Sequence, residues 1–119
     1  MSELHIVERK NNGPLGTIEL PKAEDFTGLM WLAYEGEAER RGLIEQDDSV
    51  YRKRQKSAYT AAGFISKHGQ WKLEGLTLEE FQQWESDPTK ERVKFVCWLS
   101  NQWGAYISGV LDPNDRAAS

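Results

Sequence analysis

The stretch VKFVCWLSNQWGAYISGVL, residues 93–111, decides the fold of this chain. It is almost entirely apolar or small, although the whole chain has a mean hydropathy of −0.69, which is typical of a soluble protein. A helix that is apolar around most of its circumference is buried by several neighbouring elements. The segment VKFVCWL could form a strand, but the residues after it have helical length and show no alternation of apolar and polar positions. The sequence therefore predicts a central helix over about residues 88–110.

The predicted central helix has a recognisable start and an inner face. Asp87 before Pro88 is typical of an N-cap followed by the first helical position, because proline keeps the preceding residue out of the α region. Helical spacing groups the inner-face residues as Val93, Val96, Cys97, Ser100, Trp103, Gly104, Ile107 and Val110, among which we expect Val96, Cys97, Trp103 and Ile107 to be buried.

The same stretch is too polar to cross a membrane. It contains Lys94, Asn101 and Gln102, so it falls short of the roughly 20 predominantly apolar residues that a bilayer requires. The N-terminal MSELHIVERK carries charges where a signal peptide has its apolar core. Cys97 is the one cysteine, so no internal disulfide can form. These features predict a cytoplasmic protein that does not span a membrane.

Residues 4–20 are predicted to form an N-terminal β-hairpin. LHIVERK and GTIELPK are enriched in β-forming residues and flank NNGPLG, whose Asn, Gly and Pro supply turn geometry. Alternation places Ile18 and Leu20 on one face of the second arm. The stretch QWKLE, residues 70–74, is a candidate third strand that pairs with the hairpin.

The first helix is predicted over about residues 22–41. Apolar residues between Phe26 and Ala38, including Leu29, recur at the spacing of an amphipathic helix. Gly42 follows two arginines, which is the cation-rich last turn and glycine stop typical of helix ends.

The second and third helices begin at recognisable caps. Thr77 and Glu80 form a capping box, which predicts a third helix over about residues 78–86. The second helix is predicted over about residues 48–67, and three consecutive residues could cap it: Asp47, Asp48 and Ser49.

Together these elements predict the α+β fold class, mainly α, with about four helices and an N-terminal β-hairpin. A chain of 119 residues fits one domain of ordinary size. We expect a single compact domain over residues 1–112, in which 22–110 is the helical part, and a flexible polar tail over 113–119.

The residues that could carry catalysis or bind a metal do not form a known motif. Cys97 lies in the middle of the predicted central helix, where we expect a buried core thiol. His68 lies at the C-terminal end of a predicted helix, where a cation is favourable. Together with His5 they match no zinc-binding spacing. Glycine-rich nucleotide fingerprints are absent from the sequence. We therefore predict no catalytic residue, no cofactor and no metal ion, with an uncharacterised small enzyme as an alternative.

One segment, YRKRQKSAYTAAGFISK at residues 51–67, concentrates basic residues. Its cations could contact nucleic-acid phosphates. The net charge of −4 disfavours nucleic acid as a partner, because such proteins bind largely by neutralising phosphates. The competing interpretation is a solvated helix face whose charges are balanced by the acidic residues just upstream. The nucleic-acid alternative assigns the contacts to Arg52, Lys53, Arg54 and Lys56.

Five tryptophans are many for a chain of this length. Partly exposed Trp and Tyr side chains dominate binding hot spots. Trp98 is predicted to point away from the inner face of the central helix, and Trp84 follows Phe81 on a short helix. We expect Trp84 and Trp98 to form an exposed patch, and we predict Trp84, Trp98 and Phe81 as protein-binding residues; the alternative is that all five tryptophans pack in the core.

The segment WKLEGLTLEEFQQWE, residues 71–85, resembles small phage accessory proteins, in particular tail assembly chaperones. The small size, acidic balance and N-terminal hairpin fit that resemblance, which extends over about residues 70–110 and carries over no functional residue. It implies a phage-encoded protein that binds the tape-measure protein in the host cytoplasm during tail assembly. We therefore expect a non-catalytic protein-binding accessory factor, either tail assembly chaperone-like or host-factor-binding.

Overall fold

The protein has four α-helices and a three-stranded antiparallel sheet, which confirms the predicted α+β class with mainly helical content. The computed structural model describes residues 2–8, 15–43 and 49–111. Its strands are β1 (Ser2–Glu8), β2 (Leu15–Pro21) and β3 (Gln70–Glu74), and its helices are α1 (Gly28–Arg40), α2 (Val50–His68), α3 (Leu78–Trp84) and α4 (Val93–Leu111).

The sheet has the order β1-β2-β3, so the predicted hairpin and the candidate third strand are both present. In the β1–β2 pair Ser2 lies opposite Pro21, and in the β2–β3 pair Ile18 lies opposite Trp71. Ile18 and Leu20 are buried on the face that packs against the helices, as their alternation predicted. Residues 11–14 of the turn NNGPLG and the tail at 113–119 lie outside the described residues, whereas Leu15 and Gly16 belong to β2.

The centre of the core lies between α2 and α4. The second half of α2 is buried continuously from Ala58 to Ile65, and its alanines let α4 approach closely. Phe64 on α2 packs against Trp103 on α4, with ring centroids 5.3 Å apart. Val96 is fully buried beside them in the same cluster. The prediction that residues 93–111 form a helix covered by several neighbours is thus confirmed.

The buried face of α4 is rotated from the predicted one. Val96, Trp103 and Ile107 are buried as expected, but Val93 is 56% exposed and Cys97 is only partly buried, so these two predictions were wrong. The reason is aromatic packing, because residues from α3 and β3 draw a different side of α4 inward. The residues that α4 buries are Phe95, Val96, Leu99, Ser100, Trp103, Tyr106 and Ile107.

The first helix starts six residues later than predicted. Residues Ala23–Asp25 form one turn of 3-10 helix, and Thr27 is the N-cap, its hydroxyl accepting a hydrogen bond from the backbone N–H of Met30 at 3.2 Å. Between them Phe26 is extended, and its ring stacks on Phe64 at a centroid distance of 5.4 Å. This packing interrupts the helix that the apolar spacing alone predicts.

The last helix also starts later than predicted, at Val93 and not at residue 88. Pro88–Lys90 form a 3-10 turn, and the Asp87 side chain does not cap it. Glu91 is extended, with φ −69° and ψ 132°, and its carboxylate contacts α2. A helix through residues 88–92 would move that carboxylate away from α2. The contact with α2 therefore outweighs the preference of Asp87 and Pro88 for starting a helix.

Three predicted helix ends are confirmed. Ser49 caps α2 by accepting a hydrogen bond from the backbone N–H of Arg52 at 3.1 Å. Thr77 and Glu80 form the capping box of α3. Gly42 ends α1 with φ 70°, and the backbone hydrogen bonds that accompany it form a Schellman motif. These ends depend on contacts between residues a few positions apart, which a sequence displays directly.

Candidate functional site

The exposed aromatic patch predicted from the sequence is not where it was expected. Trp84 is 5% exposed, so the prediction that it is a surface residue was wrong, and Phe81, predicted to bind the same partner, is fully buried. The two rings pack edge to face at 5.2 Å, and both contact Phe95. Trp98 is partly exposed, but its ring lies 5.6 Å from Phe95 and joins the margin of the same cluster. The α3 aromatics therefore hold α3 against α4 and offer little surface to a partner.

A different set of aromatic residues lines a groove between α1 and the end of α4. This α1–α4 groove has a volume of about 390 Å³. Trp31 and Tyr34 are partly exposed in it and lie 5.0 Å apart, while Leu111 at the end of α4 is 57% exposed. The described residues that line it are Trp31, Tyr34, Glu35, Ala38, Glu39, Ile107 and Leu111.

The outer side of α1 extends this apolar surface. Leu29 is 77% exposed and Leu32 is 62% exposed, although Leu29 was predicted to belong to the inner stripe. The signal that could have revealed this exposure is the run LMWLAY, residues 29–34, in which six apolar residues are consecutive. Because a helix turns by 100° per residue, such a run covers all sides and cannot be buried against one neighbour.

Carboxylates stand beside the apolar lining of the groove. Glu35 and Glu39 lie on the exposed side of α1. Burial raises the pKa of the Tyr34 hydroxyl, and the nearby Glu35 charge raises it further. Tyr34 is therefore a neutral hydroxyl at physiological pH and can donate a hydrogen bond. The groove combines aromatic contact area with acceptors that favour a cationic partner.

The basic residues of α2 are not gathered into one patch. Arg52 and Lys53 are exposed, whereas Arg54 donates from Nη1 to Oδ1 of Asn101 on α4 at 2.6 Å. Lys56 Nζ donates to the carbonyl oxygen of Gly42 at 3.4 Å. Of the four cations predicted to contact nucleic acid, only Arg52 and Lys56 line a common feature, which is a second cleft.

This second feature, the polar cleft, lies where the end of α1, the start of α2 and the α3–α4 connection meet. Its volume is about 350 Å³. The sequence did not indicate it, because its lining comes from three segments that are far apart along the chain. The lining residues are Arg40, Arg41, Arg52, Gln55, Lys56, Tyr59, Glu85, Pro88 and Glu91.

The Glu91 carboxylate anchors one wall of the polar cleft. It accepts hydrogen bonds from the hydroxyls of Tyr51 and Tyr59 and from Gln55 Nε2, the last at 2.8 Å. Burial raises the pKa of both tyrosines, and the hydrogen bonds to Glu91 raise it further. Both hydroxyls therefore stay protonated and act as fixed donors, which leaves their proton-transfer capacity low near neutral pH.

A second carboxylate, Glu37, organises the cations beside the cleft. Its side chain accepts from Arg40 Nη2 at 2.7 Å, from Arg41 Nη1 at 2.5 Å and from Lys67 Nζ at 3.4 Å. Burial disfavours the charged carboxylate, but the hydrogen bonds from Arg41 and Arg40 outweigh burial and hold the pKa of Glu37 below its usual value. Glu37 therefore fixes the positions of the arginine side chains.

The residues considered for catalysis or metal binding are separated. His68 packs its ring on Phe64 at 5.2 Å, and Cys97 is partly buried on α4. His5 lies on β1. Within residues 2–8, 15–43 and 49–111, no group of three His, Cys, Asp or Glu side chains could hold a metal ion. A search of the same ranges found no helix long and apolar enough to cross a bilayer.

Comparison of the chain with protein-family models, with curated proteins and with solved structures found no match.

Proposed function

We propose that the protein is a non-catalytic binding protein that docks its α1–α4 groove onto an amphipathic segment of another protein. The observation that carries this proposal is the partial exposure of Trp31 and Tyr34 beside Leu111. Neighbouring apolar side chains that stay on the surface of a small domain mark interaction sites. Trp and Tyr contribute most of the free energy at such sites.

The shape of the groove favours a helical partner segment. Its walls are two α-helices, and Ala38 and Ile107 form a buried floor between them. A helix that lies in such a groove inserts apolar side chains spaced three or four residues apart. The exposed Leu29 and Leu32 on α1 offer further contact area to the same segment.

The charge of the groove favours basic residues on the partner. Glu35 and Glu39 flank the apolar lining, and the chain as a whole has a net charge of −4. Lys or Arg residues beside the apolar face of the partner segment would pair with these carboxylates and accelerate association. The partner is therefore a basic amphipathic helix.

Residues 112–119 have the sequence DPNDRAAS and contain no large apolar side chain that could fill the groove. If the resemblance to phage tail assembly chaperones holds, the tape-measure protein is the first natural partner to test. An assignment to that family would also make the protein phage-encoded and place it in the host cytoplasm.

The proposal can be tested with a short helical peptide of leucine and lysine and with its leucine and glutamate counterpart. We expect the basic peptide to shift the backbone amide NMR signals of α1 and of the end of α4. Trp31→Ala should weaken its binding by about 2 kcal/mol, which is roughly 30-fold in Kd. Val93→Ala is the matched control, because Val93 is exposed on α4 but lies outside the groove lining.

Three results would contradict the proposal. Equal binding of the acidic peptide would remove the argument from charge. Signal shifts confined to another surface would remove the groove as the site. A dimer that forms through the same amides in a concentration series would assign the groove to a second copy of this chain.

A further inference from the structure

The polar cleft carries an excess of positive charge although the chain as a whole is acidic. Among its described lining residues four are cations and two are carboxylates, so the lining has a net charge of 4 − 2 = +2. Glu37 contacts Arg40 and Arg41 from beside the cleft and is itself paired with Lys67, so the charges of Glu37 and Lys67 cancel in the sum. A concave surface lined by one sign of charge concentrates counter-ions of the opposite sign.

The two carboxylates of the lining are already engaged by donors from the protein. Glu85 accepts from Nε of Arg41 at 2.9 Å and from Nη2 at 3.3 Å. Glu91 accepts from Tyr59 and Gln55 on the wall of α2. These fixed hydrogen bonds hold both carboxylates against the wall of the cleft, so they do not rotate freely into the space that a ligand would occupy.

Arg40 is the cation best placed to bind a ligand. Its side chain is 65% exposed, and one of its nitrogens, Nη2, is held by Glu37 at 2.7 Å. A guanidinium group has five N–H donors, so this contact orients Arg40 and leaves donors directed away from Glu37. Oriented guanidinium groups match the oxygens of phosphate and other oxyanions through paired hydrogen bonds.

We propose that the polar cleft binds a phosphate dianion, either as free phosphate or as the terminal phosphate of a larger molecule. A group with two negative charges matches the net charge of the lining. Its several oxygens can accept hydrogen bonds from Arg40, Arg52 and Lys56, which reach the cleft from two different helices. The site is separate from the α1–α4 groove, so it adds a second ligand to the proposed protein partner.

The first test is a titration of the whole chain with sodium phosphate against sodium chloride at equal ionic strength, followed by amide NMR signals and thermal melts. We expect phosphate to shift signals of the end of α1 and the start of α2 and to raise the Tm beyond the chloride control. Arg40→Gln should weaken phosphate binding at least roughly tenfold, as expected for the loss of a charge-assisted contact. Lys22→Gln is the control, because Lys22 is an exposed cation before the opposite end of α1.

A pH series tests the charge of the bound species. The second ionisation of a phosphate monoester has a pKa of about 6, so the affinity for a 5′-phosphorylated oligonucleotide should rise between about pH 5.5 and about pH 7.5. None of the described residues that line the cleft is a histidine, the side chain that ordinarily titrates in this window. A rise in affinity over this window therefore supports binding of the dianion, and a flat profile would overturn it.

Binding experiments with oligonucleotides distinguish a terminal phosphate of a larger molecule from the phosphodiester backbone as the group that is bound. A short single strand with a 5′-phosphate should bind more tightly than the same strand with a 5′-hydroxyl, and inorganic phosphate should compete with it. Equal, steeply salt-dependent binding of both strands would mean that the protein contacts the phosphodiester backbone, and it would overturn the proposed dianion site. No effect of phosphate beyond chloride would also overturn it and would show that carboxylates neutralise the cleft.

Discussion

Tyr59 on α2 donates a hydrogen bond to the carboxylate of Glu91, a residue 32 positions further along the chain. This contact joins the buried half of α2 to the extended segment that precedes α4, and it explains why α4 starts at Val93. Because the acceptor is charged, the bond is stronger than a neutral one. The same contact raises the pKa of Tyr59 above its ordinary value, after the larger contribution from burial.

We expect Tyr59→Phe to lower the free energy of unfolding by about 1 to 2 kcal/mol at pH 7, because Glu91 loses one donor. The folded-state pKa of Tyr59 is raised, so its contribution to stability is complete below the unfolded pKa of about 10 and is lost as pH rises above that value. Urea unfolding at several pH values should therefore show a smaller alkaline loss in the variant. Gln55→Leu is the control, because it removes another donor to Glu91 without removing a titrating group. If the unchanged protein, Tyr59→Phe and Gln55→Leu lost equal stability at alkaline pH, the assignment of that loss to Tyr59 would be contradicted.

Gly63 and Glu37 provide a second test, because a Cβ at position 63 would lie 2.1 Å from Glu37 Oε1. Gly63→Ala should displace the carboxylate from its arginine partners and destabilise the protein by about 1 to 3 kcal/mol. Gly104→Ala is the matched control, since Gly104 is also helical but a Cβ there meets no atom within 4 Å. We expect the control to stabilise the protein by about 0.4 to 1 kcal/mol, because alanine restricts the unfolded chain. Thermal melts of both variants would measure these changes in stability. An equal increase in Tm for both variants would refute the close contact between position 63 and Glu37.

Glu37 should make the free energy of unfolding decrease as the pH falls into the acid range. Its folded-state pKa is depressed, so its contribution is present above the unfolded pKa of about 4.3 and is lost as pH falls through the lower folded value. Glu37→Gln should destabilise the protein at pH 7 by about 1 to 3 kcal/mol and reduce the loss of stability in acid. Glu39→Gln, an exposed glutamate on the same helix, should change neither quantity by a comparable amount. Chemical unfolding between pH 7 and pH 3 measures both the stability at pH 7 and its loss in acid. If Glu37→Gln lost as much stability in acid as the unchanged protein, the assigned role of Glu37 would be contradicted.

The burial of two tryptophans can be tested by truncation. Trp103→Ala and Trp84→Ala should each cost about 3 to 5 kcal/mol, because both rings are at most 5% exposed and pack against several aromatic neighbours. For Trp84 this large cost follows from its burial, which contradicts the exposed position expected from the sequence. Trp31→Ala should cost less, since Trp31 is partly exposed. Melts of the three variants would decide the order, and a near-neutral Trp84→Ala would restore the original expectation.

The helix ends illustrate what can be predicted from a sequence. Thr77 and Glu80 are three residues apart, and their reciprocal hydrogen bonds form within one turn. Gly42 adopts a left-handed conformation that glycine accepts without steric cost. Because such interactions involve neighbouring residues, the existence of each helix and the strand positions could be predicted.

The candidate surfaces illustrate what could not be predicted. Five tryptophans indicated that some aromatic rings reach the surface, but not which ones. Trp84 is buried because Phe81 on α3 and Phe95 on α4 close around it, whereas Trp31 lies in the run 29–34 of α1, which is apolar on all sides. The polar cleft likewise depends on three segments whose sequence order says nothing about their proximity.

By itself, then, the sequence determined the mainly helical α+β class, the caps and the central position of α4, because hydrophobic periodicity and capping act over a few residues. The tertiary structure alone decided which side of α4 is buried, where α1 and α4 begin, and which aromatic and charged residues face outward. Those outcomes depend on long-range pairs such as Phe26 with Phe64 and Tyr59 with Glu91. Packing and hydrogen bonding between distant segments there outweigh local preferences of roughly 1 kcal/mol per residue.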